Sequence, residues 1–288
     1  MRDPILRSTD RTTLFELPPN LQLYAADWKI NCHERVMDCD IDPNPYYIHG
    51  SSIGLILLHG FTSTPQSVAY VGRQIHAATG ATVSVPLLAG HGETPEALAL
   101  TGYHDWLGSA KKALDRVRAD CDLIVIAGLS LGGTIALNLS IRFPELVDRV
   151  ISINGSTGIY RPDQVAGLFN PGLDGFHRGI GSDIKHPTRR ETCYDRIPLA
   201  TMRERFVLTC ATGIMLPELK QPILVFQSRE DHVVAPENGS RIVQDVGSSD
   251  VRLQWLDQSY HVATLDNDRD QIVKQCSDFI TELLSSST

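Results

Sequence analysis

From residue 51 onward, short apolar runs of strand length alternate with longer stretches in which apolar residues recur at helical spacing. Ile53-Gly54-Leu55-Ile56-Leu57-Leu58 is continuous, as in a strand buried on both faces. A helix follows, with Ser63 or Thr64 as N-cap and Pro65 in its first turn, and it ends near Gly80. Ala81 to Val85 predicts the next strand, Tyr103 to Ala119 a helix, and Asp122 to Ala127 another buried strand. The helical stretch TIALNLSIRF follows and stops before Pro144, and Val150 to Ile153 is the next strand. Pro222 to Phe226 and Val251 to Leu256 complete the strands; helices over about Glu237–Val246 and Asp268–Leu284 complete the alternation. Such alternation predicts an α/β fold with a mainly parallel central sheet, right-handed crossovers and helices on both faces.

The rhythm breaks twice. Between about Asn154 and Leu219 the text is rich in Gly and Pro and shows only helical fragments, so residues 156–217 are expected as an inserted cap without strands. The core then comprises 51–155 and 218–288. Residues 1–50, punctuated by Pro18-Pro19 and Pro43-Asn44-Pro45, read as an extension packed on the core, with an edge strand or hairpin as one outcome.

Composition narrows the function. A net charge of −8 offers no basic face to nucleic acid, and no apolar run approaches the roughly 18 residues of a membrane span. MRDPILRSTDRTT lacks a signal-peptide core, which makes the cytoplasm the default address. Six cysteines without CxxC spacing point to reduced thiols, with neither a disulfide framework nor a zinc site. No metal and no cofactor are expected, and no motif specifies an oligomeric state.

The chemistry concentrates at Gly128-Leu129-Ser130-Leu131-Gly132. A buried strand before it and a helix after it turn this G-x-S-x-G pattern into a sharp elbow that presents the Ser130 hydroxyl. The alternative is a Gly-rich turn whose serine caps the helix. A serine attacks only when a base takes its proton and an acid orients the base. In a parallel sheet such groups gather past the carboxyl ends of strands, where Asp231 and His261 stand. Of ten histidines, His59 and His91 come too early in the chain, and His232 adjoins the acid. Others fall in predicted helices, the cap or the N-terminal segment, which leaves His261. Glu230 competes with Asp231 as the acid, and Asp257 and Asp266 also flank His261. Oxyanion donors are expected at the N–H groups of Leu131 and of Phe61, in the loop after the first long strand. His59 is expected to hydrogen-bond within that loop, and Gly90-His91-Gly92 to form a structural turn.

Six ordered motifs, HGFTSTP, PLLAGHGETPEAL, Asp105-Trp106, GLSLGG, QSREDHVVAP and SYHVATLDNDRDQ, resemble the bacterial carboxylesterase and monoacylglycerol lipase group of α/β-hydrolases. The similarity runs from about Tyr46 to the end and is weakest in the cap. It implies an α/β-hydrolase fold, with Ser130 as nucleophile, Asp231 as acid, His261 as base, and Phe61 and Leu131 as oxyanion donors. It also implies cofactor-free hydrolysis of short- to medium-chain acyl esters or monoacylglycerols through an acyl-enzyme. Thioesters, lactones or amides are alternative substrates, and a non-catalytic binding protein is the alternative class. Cap residues such as Val165, Phe169, Phe206, Val207 and Ile214 are expected to be divided between packing and an acyl pocket.

Overall fold

The computed structural model describes residues 42–285; Cys32, Cys39 and nearly all of the expected N-terminal extension lie outside the described residues. In chain order the first half runs β1 (Tyr46–Ile48), β2 (Ser51–Leu58), α1 (Gln66–Thr79), β3 (Ala81–Val85), α2 (Pro95–Ala99), α3 (Tyr103–Asp120), β4 (Leu123–Leu129), α4 (Leu131–Arg142) and β5 (Arg149–Ile153). An insertion follows with α5 (Pro162–Ala166), β6 (Phe176–Arg178), β7 (Arg196–Pro198) and α6 (Leu199–Met215). The chain then closes with β8 (Ile223–Ser228), α7 (Glu237–Asp245), β9 (Val251–Leu256) and α8 (Arg269–Ser285).

Seven strands form one sheet in the order β1-β3-β2-β4-β5-β8-β9. All neighbours are parallel except β1, which runs antiparallel to β3 from Tyr46 opposite Val85 to Ile48 opposite Val83. The apolar runs alternate faces residue by residue. Leu55 and Leu57 join Val68, Val71 and Ile75 of α1 and Ile272, Phe279 and Ile280 of α8 in one core. Ile56 and Leu58 join Leu114 and Val117 of α3 and Ile135 and Leu139 of α4 in the other. Each such side chain withdrawn from water contributes about 1.5–3 kcal/mol, so neither face tolerates a polar alternation. Helix α4 is buried from Leu131 through Ser140, which marks it as the central helix of the second layer.

Three expectations change. Helix α1 starts at Gln66 with Pro65, already helical, at its N-cap and no side-chain cap from Ser63 or Thr64. Proline's fixed φ starts the helix without one. Helix α2 was not anticipated, although Thr94 accepts the Ala97 N–H at 3.1 Å and Pro95 follows, a regular helix start. The insertion does contain strands: β6 and β7 pair antiparallel, Phe176 opposite Pro198 and Arg178 opposite Arg196. Three-residue strands are too short to show a period-2 pattern.

The sheet approaches α4 too closely for side chains between them. A Cβ on Gly132 would overlap the Leu58 carbonyl of β2, and one on Gly128 would overlap the Gly132 backbone. Gly132→Ala should therefore lower unfolding stability by about 1–3 kcal/mol, read as an earlier urea midpoint. An unchanged midpoint would mean that the α4–β2 spacing is not tight.

Candidate active site

Phe61, Ser130, Asp231 and His261 all lie in turns beyond the carboxyl ends of strands β2, β4, β8 and β9, on one edge of the sheet. The backbone there is strained. Thr62, Ser130 and Asn154, after β2, β4 and β5, have φ of 63°, 55° and 48°. Such residues cost on the order of 1–3 kcal/mol each and are held only where their surroundings fix them. Asn154 shows how. Its Oδ1 accepts the Ser228 N–H at 2.7 Å, while its Nδ2 donates to Ser228 Oγ at 3.0 Å and to the His261 carbonyl at 2.7 Å.

His261 bridges the other two side chains. Its Nδ1 lies 2.8 Å from Asp231 Oδ2 and its Nε2 2.9 Å from Ser130 Oγ. An ionised carboxylate only accepts, so Nδ1 carries the proton and Nε2 is left to accept the serine O–H. Asp231 is fixed in turn, its Oδ1 accepting the Val233 and Val234 N–H groups at 2.9 and 2.7 Å. The three other acid candidates are engaged elsewhere. Glu230 pairs with Lys185 at 2.9 Å and Asp257 with Arg229 at 2.8 Å. Asp266 accepts backbone N–H groups of Lys185, His186 and Tyr260.

Leu131 opens α4, so its N–H has no acceptor within the helix. Among the described residues neither this N–H nor that of Phe61 makes a hydrogen bond. His59 shapes the Phe61 loop: its Nε2 accepts the Leu88 N–H at 3.1 Å and its Nδ1 donates to the Gly60 carbonyl at 2.9 Å. Burial, assisted by neighbouring His91, pushes the His59 pKa down to about 3, which keeps the ring neutral. His91 packs edge-on against His59, Phe61 and Trp106, and burial lowers its pKa to about 4. It braces the wall behind Phe61, as a structural turn would.

The family model described as "Serine aminopeptidase, S33" matches residues 52–268. The chain belongs to this family. It is 35% identical to the thermostable monoacylglycerol lipase of Bacillus sp. (strain H-257) over 83% of its own length and 94% of that protein's. It is 27% identical to a carboxylesterase of Bacillus subtilis (strain 168), covering 84% and 98% respectively. Among solved structures, one reported with the metagenome-derived lipolytic enzymes LipS and LipT superposes with a TM-score of 0.80. That chain shares 38% identity over 83% of this chain and 98% of its own. The fold is thus the α/β-hydrolase fold, and among the described residues no helix is long and apolar enough to cross a membrane.

This S33-family hydrolase carries a small pocket, partly open to solvent, over Ser130 and His261. The core contributes Gly60, Phe61, Val233 and Val262 to its lining. The insertion contributes Ile180, Gly181, Glu191 and Arg205, and none of the apolar clusters expected there. Leu168, Leu208 and Leu216 are buried in packing, while Phe169, Val207 and Ile214 face solvent. The insertion's apolar residues thus follow helix packing, while its loops and Arg205 of α6 reach the site.

Four site residues gave no sequence signal. Asn154 marked only the break in the alternation. Buried Asp183 accepts the His261 N–H at 3.1 Å and holds His232 Nδ1 at 2.9 Å, while its carbonyl accepts the Val262 N–H. Glu191 and Arg205 complete the set. A single charged residue in an aperiodic, Gly-rich stretch looks like any solvated loop position.

Electrostatics at His261 reflect these neighbours. Burial favours the neutral ring, but the charge and hydrogen bond of Asp231, with the charges of Asp183 and Glu191, outweigh it and raise the pKa above 6.5. Burial pushes Glu191 up to about 7, against the pull of Ser63 and His261. A base must be neutral to accept a proton, so a raised His261 pKa moves the acid limb of kcat/KM to higher pH. Glu191→Gln removes one anion that favours the imidazolium, and the acid limb should shift to lower pH. A pH–rate profile of the variant checks this; an unmoved limb or an upward shift would contradict it.

Proposed function

We propose that the protein is a serine carboxylester hydrolase acting on short- to medium-chain acyl esters or monoacylglycerols through an acyl-enzyme. The observation that carries this reading is the bridge from Asp231 through His261 to Ser130. In this mechanism Ser130 Oγ attacks the ester carbonyl as its proton passes to His261 Nε2. Asp231 holds the Nδ1–H tautomer and stabilises the imidazolium. The free N–H groups of Phe61 and Leu131 face the developing oxyanion, and their strained turns preorganise them. His261 then returns the proton to the leaving alcohol, and water repeats the sequence to release the acid. We assign 51–155 and 218–288 to the catalytic core, with β1 paired to its edge, and 156–217 to a cap over the site.

Cleavage of esters, not peptides, is favoured by the relatives, which are a monoacylglycerol lipase and a carboxylesterase. The family's description names aminopeptidases, and Glu191 is a carboxyl that an amino terminus could approach. With its pKa lifted to about 7, however, Glu191 is half neutral at neutral pH and a weak anchor for an ammonium.

Stopped-flow hydrolysis of p-nitrophenyl butyrate should give a p-nitrophenol burst stoichiometric with protein. Ser130→Ala should remove nearly all turnover, on the order of a million-fold. Asp231→Asn should cost about ten-thousand-fold, whereas Glu230→Gln should leave activity near wild type because Glu230 is exposed and pairs with Lys185, not with His261. A tenth of the activity surviving in Ser130→Ala, or the reverse ranking of the carboxylates, would overturn the assignment.

Each methylene buried in the cavity adds up to about 0.8 kcal/mol until the space is filled. A compact cavity fills early, so kcat/KM across C2 to C16 p-nitrophenyl esters should peak at short to medium length. Highest activity on C16 or on emulsified triolein would refute a short acyl site.

A further inference from the structure

The inward stripe of α6 consists of small or apolar residues, Thr201, Leu208, Thr209 and Thr212 among them, with one exception. Arg205 stands in the middle of it, only 9% exposed, and its side chain lines the cavity shared with Ser130 and His261. The neighbouring arginines are engaged: Arg196 pairs with Glu96 at 2.5 Å, and Arg203 donates to the Leu168 and Leu173 carbonyls. Among the described residues Arg205 makes no hydrogen bond and no ion pair; its guanidinium lies 5.0 Å from the centre of the Phe206 ring. Asp231 lies near enough to act on it through its field, but both Asp231 oxygens are already occupied by His261, Val233 and Val234.

Burial lowers the Arg205 pKa to about 10, which leaves the group cationic at neutral pH. Its guanidinium nitrogens open onto the partly open cavity and have no hydrogen-bonding partner among the described residues, so a mostly buried cation there is best satisfied by an anion entering the cavity beside it. Leucine at this point of the stripe would fit an apolar acyl site; a guanidinium does not. Its planar fork matches a carboxylate in a bidentate pair. A single negative charge suits the surroundings better than a dianionic phosphate, because Asp231, Asp183 and Glu191 are all close to the same site.

We infer that Arg205 binds a second, ionised carboxylate carried by the ester substrate, so that the preferred substrates are short esters bearing a free carboxylate a few bonds from the scissile carbonyl. The inference rests on the ester-hydrolase reading and specifies its substrate class.

Two matched pairs of esters test it. Monoethyl glutarate against ethyl 5-methylhexanoate places the carboxylate on the acyl side. The butyryl ester of glycolate against isobutyl butyrate places it on the alcohol side. In at least one pair the wild-type enzyme should favour the anionic ester in kcat/KM, and that pair identifies the side Arg205 reaches. Arg205→Gln should lower the anionic-to-neutral ratio of that pair by about 10- to 100-fold, the worth of a charge-assisted hydrogen bond. Arg205→Lys should keep part of the preference. Using a ratio removes any general loss of activity from disturbed packing or from the field at Asp231. Preference for the neutral ester in both pairs by the wild type would overturn the inference without any variant. An unchanged ratio in a folded Arg205→Gln protein would do the same. If the neutral esters too are left intact by the wild type, the ester-hydrolase reading fails and this inference falls with it.

Discussion

Helix α4 meets the sheet so closely that a Cβ on Gly132 would overlap the carbonyl of Leu58, and this approach governs the geometry of the whole edge. For β4 to end and α4 to begin within that distance, the chain must reverse at one residue. Ser130 makes the turn at φ 55° and ψ −118°, its N–H tied to the Ile153 carbonyl at 2.9 Å. The strain lifts the hydroxyl above the strand ends, and the same turn leaves the Leu131 N–H pointing away from the helix without a partner. Loosening the approach would relax Ser130 and tilt the hydroxyl away from His261 together. The glycines are therefore as much part of the site as the side chains that touch it.

Charge is the second constraint. Ser130 and His261 sit among Asp231, Asp183 and Glu191, with Arg205 across the cavity. Asp183 fixes the backbone of His261 from the insertion, and Asn154 fixes its carbonyl from the end of β5. The imidazole is thus held from several sides by the protein itself, the kind of preorganisation that the proposed chemistry requires. The insertion is more than a cover: it supplies a carboxylate that tethers the histidine loop and two charged groups that face the cavity.

The core was legible because its physics is periodic. Runs such as Leu55–Leu58 and Ile124–Ala127 are unbroken only because both faces of the sheet are covered; Ser130 follows such a run directly, whereas Asp231 and His261 stand three and five residues past the ends of β8 and β9. Position after a strand, combined with chain order, points to His261 among the ten histidines, and that ring lies between Asp231 and Ser130. Strand β1 was harder, since three residues of an edge carry no pattern; Tyr46 is fixed by its pairing with Val85 and its hydrogen bond to the Ala69 carbonyl. Asp183 and Glu191 could not be ranked from sequence, because loop conformation alone decides which charged residue of an aperiodic segment turns inward. Arg205 came nearest, as a charge set in the inward stripe of a helical stretch, yet that stripe shows only once the helix register is known.

The most direct test is rapid acid quench of the protein during turnover of p-nitrophenyl butyrate, followed by peptide mass mapping. A butyryl mass on Ser130, absent when substrate is omitted, is expected. A butyryl group on another residue, or hydrolysis that proceeds at full rate with Ser130 never modified, would contradict covalent catalysis at the β4–α4 turn.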